Sequence, residues 1–259
     1  MPPFSLVEIT NVKLQSEHWF RGGFPDALLA PNATLSAMWI ENFIETFLHR
    51  DIRLIGFDIP IPTLELLLKG IASTSENILN VDSLSNTLGI NTITVKKYLD
   101  ILEGSFLLRR LQPYYVNTTK RLVRSPKVYI RDTGLLHRLI SIRDLEQLQG
   151  SAWLGHSWET YVIEQIARVG GKSFEYSFYR TQAGAEVDLV LKGATGKITM
   201  LEIKYSSNAA PSKGFYSAVE DIKPDFQYVI VPEGDMWERN ASIKVCGLLW
   251  FLTHEMEKL

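Results

Sequence analysis

The chain has 259 residues, of which 46% are hydrophobic and 22% are charged. These proportions are ordinary for a globular protein, and the length allows two modest domains. Its net charge of −2 and single cysteine, Cys246, exclude a uniformly basic protein, a disulfide framework and a thiolate metal cluster. The sequence shows neither a membrane-length apolar run nor a secretory signal pattern at its start. We therefore expect a cytoplasmic protein without membrane contact.

The first 35 residues contain several helix breakers and are predicted to be irregular. The breakers are Pro2, Pro3, Pro25, Pro31 and the Gly22-Gly23 pair. Apolar residues then recur at helical spacing over residues 35–53 and predict a helix. After a break at Pro60 and Pro62, Thr63 is predicted to cap a second helix over residues 64–72.

Residues 80–104 have the pattern of a helix-turn-helix. Asp82 is placed to cap a short helix over residues 83–88, and Gly89 to end it. Asn91 or Thr92 then caps a longer helix. A short helix, a glycine turn and a longer helix are the parts of that motif. The apolar face of the longer helix is formed by Val95, Leu99 and Leu102.

Two predicted strands follow, near residues 106–108 and 127–130, joined by a basic loop that is typical of a wing. The region from about residue 64 to residue 131 is therefore interpreted as a winged helix. Residues 104–131 contain no acid and seven cations, which are Arg109, Arg110, Lys120, Arg121, Arg124, Lys127 and Arg131. Two interpretations stay open: a phosphate-binding surface, or a solvated hairpin with basic edges. Lys96 and Lys97 on the longer helix are likewise candidate phosphate contacts or part of a solvated face.

The remaining chain predicts a second, mixed α/β domain. Residues 132–135 turn into a short helix, and residues 143–150 form a polar linker. The predicted order is then a helix over 157–169, strands over 173–180, 185–192 and 198–205, a helix over 212–222 and a strand over 226–231. The last segment, 245–255, is apolar and fits either a strand or a helix.

The chemically informative stretch is residues 185–205. Side chains alternate between faces along a strand, so Asp188 lies on one face with Glu186. After the turn at 193–196, Glu202 and Lys204 share a face of the next strand. Because that turn makes the two strands neighbours, Asp188, Glu202 and Lys204 are expected to converge.

Two carboxylates held close together repel each other, and a divalent cation removes that penalty. Mg²⁺ or Mn²⁺ bound by Asp188 and Glu202, with Lys204 as the catalytic cation, would suit phosphodiester hydrolysis. The alternative is a surface pattern of cross-strand charges.

The helix over residues 157–169 adds a further candidate ligand. Glu159 has helical spacing with its apolar residues, whereas Glu164 lies round the helix and is expected in solvent. Glu159 is thus either a metal ligand or an acidic residue favoured by the helix dipole. Arg180 lies ahead of Asp188 and is predicted either to hold a phosphate or to pair with Glu186.

The order of helix with Glu159, strand with Asp188 and strand with Glu202-Ile203-Lys204 resembles the PD-(D/E)xK nuclease superfamily. One departure is Val187, which stands where that pattern has proline. The resemblance implies a restriction-endonuclease-like mixed-sheet domain whose catalytic residues are Glu159, Asp188, Glu202 and Lys204.

Motifs along nearly the whole chain also resemble one prokaryotic family of P-loop (AAA+-type) ATPases with a C-terminal domain of unknown function. They include Gly22-Gly23-Phe24-Pro25, the stretch from Thr94 to Leu99 and Asp132-Thr133-Gly134-Leu135. The resemblance implies that an ATPase domain normally precedes this region. No phosphate loop occurs in the sequence, since Gly171-Lys172-Ser173 lacks the first glycine and follows a helix. This chain is therefore not expected to bind ATP, and it looks like a C-terminal fragment.

Together these features predict three regions: a helical lead-in (1–62), a winged helix (63–142) and a nuclease-like domain (143–259). The function predicted is a DNA-associated, metal-dependent nuclease, with an ATPase domain or another protein as a further partner. Its DNA contacts are predicted to be Lys96, Lys97, Lys120, Arg121, Arg124 and Arg180. The alternative is a non-catalytic DNA- or protein-interaction module on an inactive nuclease fold.

Overall fold

The computed structural model describes residues 3–9, 14–54, 59–75, 77–116, 120–206, 210–240 and 242–259. The chain divides into two compact units. The first consists of Met1–Phe4, Glu8–Arg110 and Val128–Thr160, and the second of Ser5–Val7, Leu111–Lys127 and Tyr161–Leu259. The three predicted regions stay predictions. Every helix in the described ranges is too short or too polar to be a transmembrane span.

The N-terminal part of the chain is helical. Its helices are α1 (Leu6–Ile9), α2 (Gln15–Arg21), α3 (Pro25–Leu28), α4 (Ala33–Thr46), a π-helical turn (Phe47–Asp51), α5 (Ile52–Leu54) and α6 (Ile61–Ala72). The prediction of an irregular start is therefore wrong for the described residues, while Pro2 and residues 10–13 lie outside them. Pro25 does not break a helix because it stands at the first helical position, where its missing N–H has no partner to lose.

Helices α7 (Val81–Leu88) and α8 (Thr92–Gly104) form the predicted helix pair. Gly89 between them has φ 64°, the left-handed conformation expected of a glycine after a helix. The cap of α7 was misassigned: the side chain of Asn80, not Asp82, accepts the Ser83 N–H at 2.9 Å. Asn91 caps α8 by accepting the Thr94 N–H at 2.8 Å.

Thr63 does not cap α6, which begins at Ile61 with a proline in its first turn and no side-chain cap. The helical core of the first unit does contain the predicted apolar face of α8, since Val95, Leu99 and Leu102 are fully buried.

Two of the glycine-containing motifs named in the sequence analysis contact each other in the first unit. The N–H of Gly23 donates to Asp132 Oδ2 at 2.8 Å, and Asp132 Oδ1 accepts the Leu135 N–H at 3.0 Å at the start of α9 (Thr133–Leu139). A Cβ on Gly22 would overlap the Asp132 carboxylate, and one on Gly134 would overlap the Arg21 carbonyl. These glycines are therefore required for close approach of the α2 end to the α9 start.

A short helix, α10 (Leu145–Gln149), occupies the segment predicted to be a polar linker. Asp144 supplies its cap by accepting the Gln147 N–H at 2.7 Å. The polar composition of the segment concealed the helix, because a five-residue helix has no room for an apolar periodicity.

The strands form one eight-stranded mixed sheet in the order β2-β1-β3-β4-β5-β6-β8-β7. They are β1 (Leu108–Pro113), β2 (Lys127–Ile130), β3 (Phe174–Arg180), β4 (Glu186–Gly193), β5 (Ile198–Ile203), β6 (Phe226–Val231), β7 (Trp237–Glu238) and β8 (Ile243–Gly247). Strands β3, β4 and β5 are antiparallel neighbours, whereas β5, β6 and β8 run parallel.

The helices in the C-terminal part of the chain are α11 (Leu154–Gly170), α12 (Lys213–Ile222) and α13 (Leu248–Trp250). A π-helical turn (Phe251–Glu255) and a 3₁₀ turn (Met256–Lys258) follow α13. The last apolar segment, which fitted either a strand or a helix, thus contains the end of β8 and then helix. In the second unit, α12 packs through Phe215 and Ala218 on Val187, Val190 and Met200 of the sheet.

Candidate functional site

Asp188 and Glu202 lie where β4 separates from β5. The β4–β5 pairing runs from Lys192↔Ile198 to Leu189↔Leu201. Beyond it, a β-bulge shifts the register of β4 on β3 between the pairs Ser177↔Val190 and Tyr179↔Val187. The strict alternation expected along β4 is therefore wrong at Asp188, because the bulge inserts an extra residue there.

Asp188 bonds the neighbouring strand through its side chain. Its Oδ2 accepts the N–H of Ile203 at 2.7 Å. The carboxylate thus takes a backbone donor of β5 just past the last β4–β5 pair, and it lies directly beside the peptide that joins Glu202 to Ile203. The Asp188 side chain therefore contacts the backbone of the Glu202-Ile203-Lys204 segment, and its convergence with the Glu202 and Lys204 side chains stays a prediction.

Glu202 is buried, with 4% of its surface exposed. Its carboxylate accepts the N–H of Ser212 at 2.9 Å and 3.1 Å, one distance to each oxygen. Lys204 Nζ lies 2.8 Å from Glu202 Oε1, and the lysine side chain is 35% exposed. A buried carboxylate needs such charge and hydrogen-bond compensation. The lysine is therefore held beside the carboxylate with its ammonium reaching solvent.

Helix α12 positions the donor to Glu202. Ser212 is its N-cap, and the Ser212 Oγ accepts the Phe215 N–H at 3.0 Å. A Cβ on Gly214 would lie 2.7 Å from the Gly184 carbonyl oxygen, so only glycine allows α12 to approach the turn before β4 this closely. The positive end of the helix dipole therefore faces the Glu202 carboxylate.

Asp188 and Glu202 are the predicted metal ligands of the second unit, and their role stays a prediction. Mg²⁺ keeps several waters and is commonly bound through only one or two carboxylates. No group of three or more His, Cys, Asp and Glu side chains placed for a metal occurs among the described residues. Any cation held by these two carboxylates would need water or substrate oxygens for its remaining ligands.

Glu159 belongs to the first unit, whereas Asp188, Glu202 and Lys204 belong to the second. Its Oε1 accepts the hydroxyl of Tyr129 at 2.7 Å. Its role as a further metal ligand stays a prediction. The expectation that Glu164 lies in solvent is wrong, since the residue is 1% exposed. The helix α11 is buried round nearly its whole circumference at this point, which leaves no solvated face.

Arg180 pairs with Glu186. One guanidinium nitrogen lies 3.5 Å from Glu186 Oε1, and Lys127 Nζ lies 3.5 Å from the same oxygen. Lys127 is only 3% exposed and lies 5.7 Å above the Phe178 ring. No sequence feature predicts the burial of Lys127, which is one cation within a basic segment. Of the two roles predicted for Arg180, the structure contains the ion pair.

The other predicted DNA contacts differ in their surroundings. Lys96 and Lys97 are exposed on α8, and Arg121 and Arg124 are also exposed. Lys120 instead donates to Asp221 at 2.8 Å and to Ser217 at 3.1 Å.

A buried Ser–His pair was not anticipated from the sequence. Ser157 Oγ lies 2.6 Å from His137 Nε2 and accepts the Trp19 indole N–H at 2.8 Å. Ser157 and His137 are 0% and 1% exposed, so no substrate reaches them. His137 Nδ1 lies 2.9 Å from the Phe20 carbonyl. We interpret the pair as structural.

The chain is a mixed α/β protein with a helical N-terminal region and an eight-stranded mixed sheet. The chain belongs to the family described as Domain of unknown function (DUF8612), which matches residues 12–146. Residues 154–251 match Domain of unknown function (DUF4143), a domain often found with AAA-ATPase domains.

The chain is similar to uncharacterized proteins of Mycobacterium tuberculosis and Mycobacterium bovis. Each is 38% identical over 205 residues, covering 79% of this chain and 46% of the relative. The chain thus spans about half the length of the curated relatives it matches.

Two solved structures show weak likenesses. A MarR-family transcriptional regulator from Silicibacter pomeroyi is 20% identical, covers 52% of this chain and 88% of its own, and has a TM-score of 0.23. An assembly of Thermococcus gammatolerans McrB AAA+ hexamers with bound McrC is 9% identical, covers 72% and 70%, and has a TM-score of 0.28. Neither score is high enough to establish a shared fold.

Proposed function

We propose that the second unit is a metal-dependent phosphodiesterase acting on DNA. The observation that carries this proposal is the meeting of Asp188 with the Glu202-Ile203-Lys204 segment. Asp188 lies 2.7 Å from the Ile203 N–H, and Lys204 lies 2.8 Å from Glu202. Carboxylates beside an ammonium on adjoining strands combine a cation site with a positive charge for the phosphate.

Each residue has a distinct part in this proposal. Asp188 and Glu202 would hold Mg²⁺ or Mn²⁺, which would act as a Lewis acid on the phosphodiester. Lys204, with its side chain 35% exposed beside Glu202, stabilises the extra negative charge that develops on the phosphate oxygens. The Ser212 N–H fixes the direction of the Glu202 carboxylate, so its geometry is set before substrate binds.

A second candidate function is non-catalytic binding of DNA or a protein on an inactive nuclease-like fold. The observation that favours it is the occupation of both Glu202 oxygens by Ser212, with Lys204 on one of them. A carboxylate engaged in this way is satisfied without a metal ion. The cluster would then be a structural charge network.

Cleavage of a labelled DNA substrate with Mg²⁺ or Mn²⁺ distinguishes the two. We expect Asp188→Asn, Glu202→Gln and Lys204→Met each to lower the cleavage rate at least 100-fold, as removal of a charge-stabilising group typically does. Glu186→Gln is the matched control, because Glu186 lies two residues before Asp188 on β4 and pairs with Arg180 and Lys127. Wild-type protein that binds DNA without cleaving it would favour the non-catalytic function.

For the first unit we propose that α7 and α8 are the helix pair of a winged helix and contact DNA phosphates. The support is the glycine turn at Gly89 and the exposure of Lys96 and Lys97 on α8. We also propose that an AAA-ATPase domain is a partner, since DUF4143 is often found with such domains. Phosphate contacts of this kind would position DNA without specifying its sequence.

A further inference from the structure

We infer that a basic cleft in the second unit binds single-stranded nucleic acid through its phosphates and through stacking of one base. The cleft has a volume of about 590 Å³, and its lining includes Tyr115, Lys120, Arg121, Arg124 and Gln182. All of these residues belong to one compact unit. The cleft is therefore a surface of that unit alone.

The backbone that bears the cations is held in place. Leu122 pairs with Thr181 as an isolated antiparallel bridge, which extends the end of β3. The N–H of Gln182 donates to the Arg121 carbonyl at 2.9 Å, and the N–H of Val123 donates to the Arg180 carbonyl at 3.0 Å. Because side chains alternate along such a segment, Leu122 packs against the core while Arg121 lies outside. The arginines are thus presented from a fixed segment.

The charge of the cleft suits an anion. No acid occurs in residues 104–131, and Lys120 is neutralised by Asp221 at 2.8 Å. Arg121 and Arg124 are exposed, and within the described ranges neither guanidinium forms an ion pair. A guanidinium binds a phosphate through two parallel hydrogen bonds and is weakly hydrated, so two such groups recognise successive phosphates well.

The exposed ring of Tyr115 favours a single strand over a duplex. Tyr115 is 63% exposed beside the arginines. Stacking of a base on an aromatic side chain contributes about 1–3 kcal/mol and requires a base face that is free. In a duplex both faces are covered by neighbouring base pairs, so the ring would contribute only with a single strand.

Helix α12 connects the cleft with the Asp188–Glu202 cluster. Its Ser212 end donates to Glu202, and Asp221 near its other end holds Lys120. At 1.5 Å per residue these ends are roughly 13 Å apart, a distance spanned by a few nucleotides. The bound strand would then be the substrate of the cluster; that link rests on the proposed function, whereas the binding itself does not.

Fluorescence anisotropy with a labelled oligo(dT) and a duplex of equal length, both in EDTA, tests the inference. We expect tighter binding of oligo(dT) than of the duplex. Arg121→Gln/Arg124→Gln should weaken oligo(dT) binding at least ten-fold and lower the salt slope by about 1.4, because each phosphate contact on a single strand contributes about 0.7. Tyr115→Ala should weaken binding about five-fold or more, and Tyr115→Phe should bind as wild type does.

The matched control is Lys172→Gln/Lys197→Gln, which removes the same charge from exposed positions. The pairing of β3 with β4 runs from Phe174↔Gly193 at one end to Arg180↔Glu186 at the other. These lysines lie just beyond the Phe174↔Gly193 end. Binding by this control should change less than three-fold. The inference is overturned if wild type does not bind oligo(dT), if the control weakens binding as much as the arginine changes do, or if Tyr115→Ala has no effect.

Failure of the inference is separable from failure of the proposed function. Binding that depends on the arginines in a protein that never cleaves DNA supports the inference and contradicts the phosphodiesterase. Cleavage by a protein whose arginine variant binds oligo(dT) normally supports the phosphodiesterase and contradicts the inference.

Discussion

His137 is buried in the first unit as a neutral side chain. Because Nδ1 faces the Phe20 carbonyl, that nitrogen must donate, which leaves Nε2 to accept the Ser157 hydroxyl. Burial lowers the pKa of His137 to about 4, and the hydrogen bond to Phe20 only partly opposes this effect. The imidazole therefore satisfies both partners in its uncharged form.

This burial predicts a loss of stability in mild acid. Between the lowered folded pKa and the ordinary value of about 6.5, the unfolded chain takes up a proton that the folded chain does not. The contribution of His137 to the free energy of unfolding is thus complete above pH 6.5 and falls as the pH is lowered toward 4. The comparison to make is urea unfolding of wild type and His137→Phe at pH 7.5 and pH 5.

We expect the stability difference between the two proteins to be smaller at pH 5 by about 2 kcal/mol, which corresponds to about 1.5 pKa units. An equal stability difference at both pH values would show that His137 is not buried in its neutral form.

At the scale of elements, helix α12 acts on the candidate site through one backbone group, the Ser212 N–H that donates to Glu202. Ser212 has φ −69°, which proline also adopts; Ser212→Pro removes the N–H that Glu202 accepts and puts the proline Cδ where that hydrogen points, so the carboxylate must move. Ser212→Ala removes only the side-chain cap to Phe215 and keeps that N–H.

We expect Ser212→Ala to lose about 1 kcal/mol of stability with the cap, and Ser212→Pro to lose more, because it also removes the donor to a buried carboxylate. Only Ser212→Pro should also lower DNA cleavage, at least ten-fold, because it leaves the buried Glu202 carboxylate without its backbone donor. Urea unfolding and cleavage rates measured side by side provide the comparison. Equal cleavage by the two variants would mean that the Ser212 N–H does not position Glu202.

Elements with a strong local signal were predictable from the sequence. Strand β6 begins and ends where apolar periodicity placed it, and the turn at Gly89 follows from glycine chemistry. Caps were less predictable, because Asn80 and Asp82 both suit an N-cap and only the fold selects between them. The short helices α1–α3 and α10 were missed, since their stability comes from tertiary contacts rather than from a local pattern.

The contact of Asp188 with the backbone of the Glu202-Ile203-Lys204 segment was predictable because a tight turn joins the two strands. The bulge at Asp188 was not, since one extra residue in a strand leaves no mark in an alternating sequence. Equally, no local pattern could predict that the Ser212 N–H donates to Glu202 or that Lys127 is buried. Each feature depends on residues that are distant along the chain.

On the scale of the whole molecule, the central claim is that the intact chain binds a divalent metal ion at Asp188 and Glu202. The most direct test is calorimetric titration of Mn²⁺ into the wild-type chain and into Asp188→Asn/Glu202→Gln. We predict saturable binding of Mn²⁺ by wild type and its loss in the double variant. Absence of Mn²⁺ binding by wild type, or binding that persists in the double variant, would contradict the account.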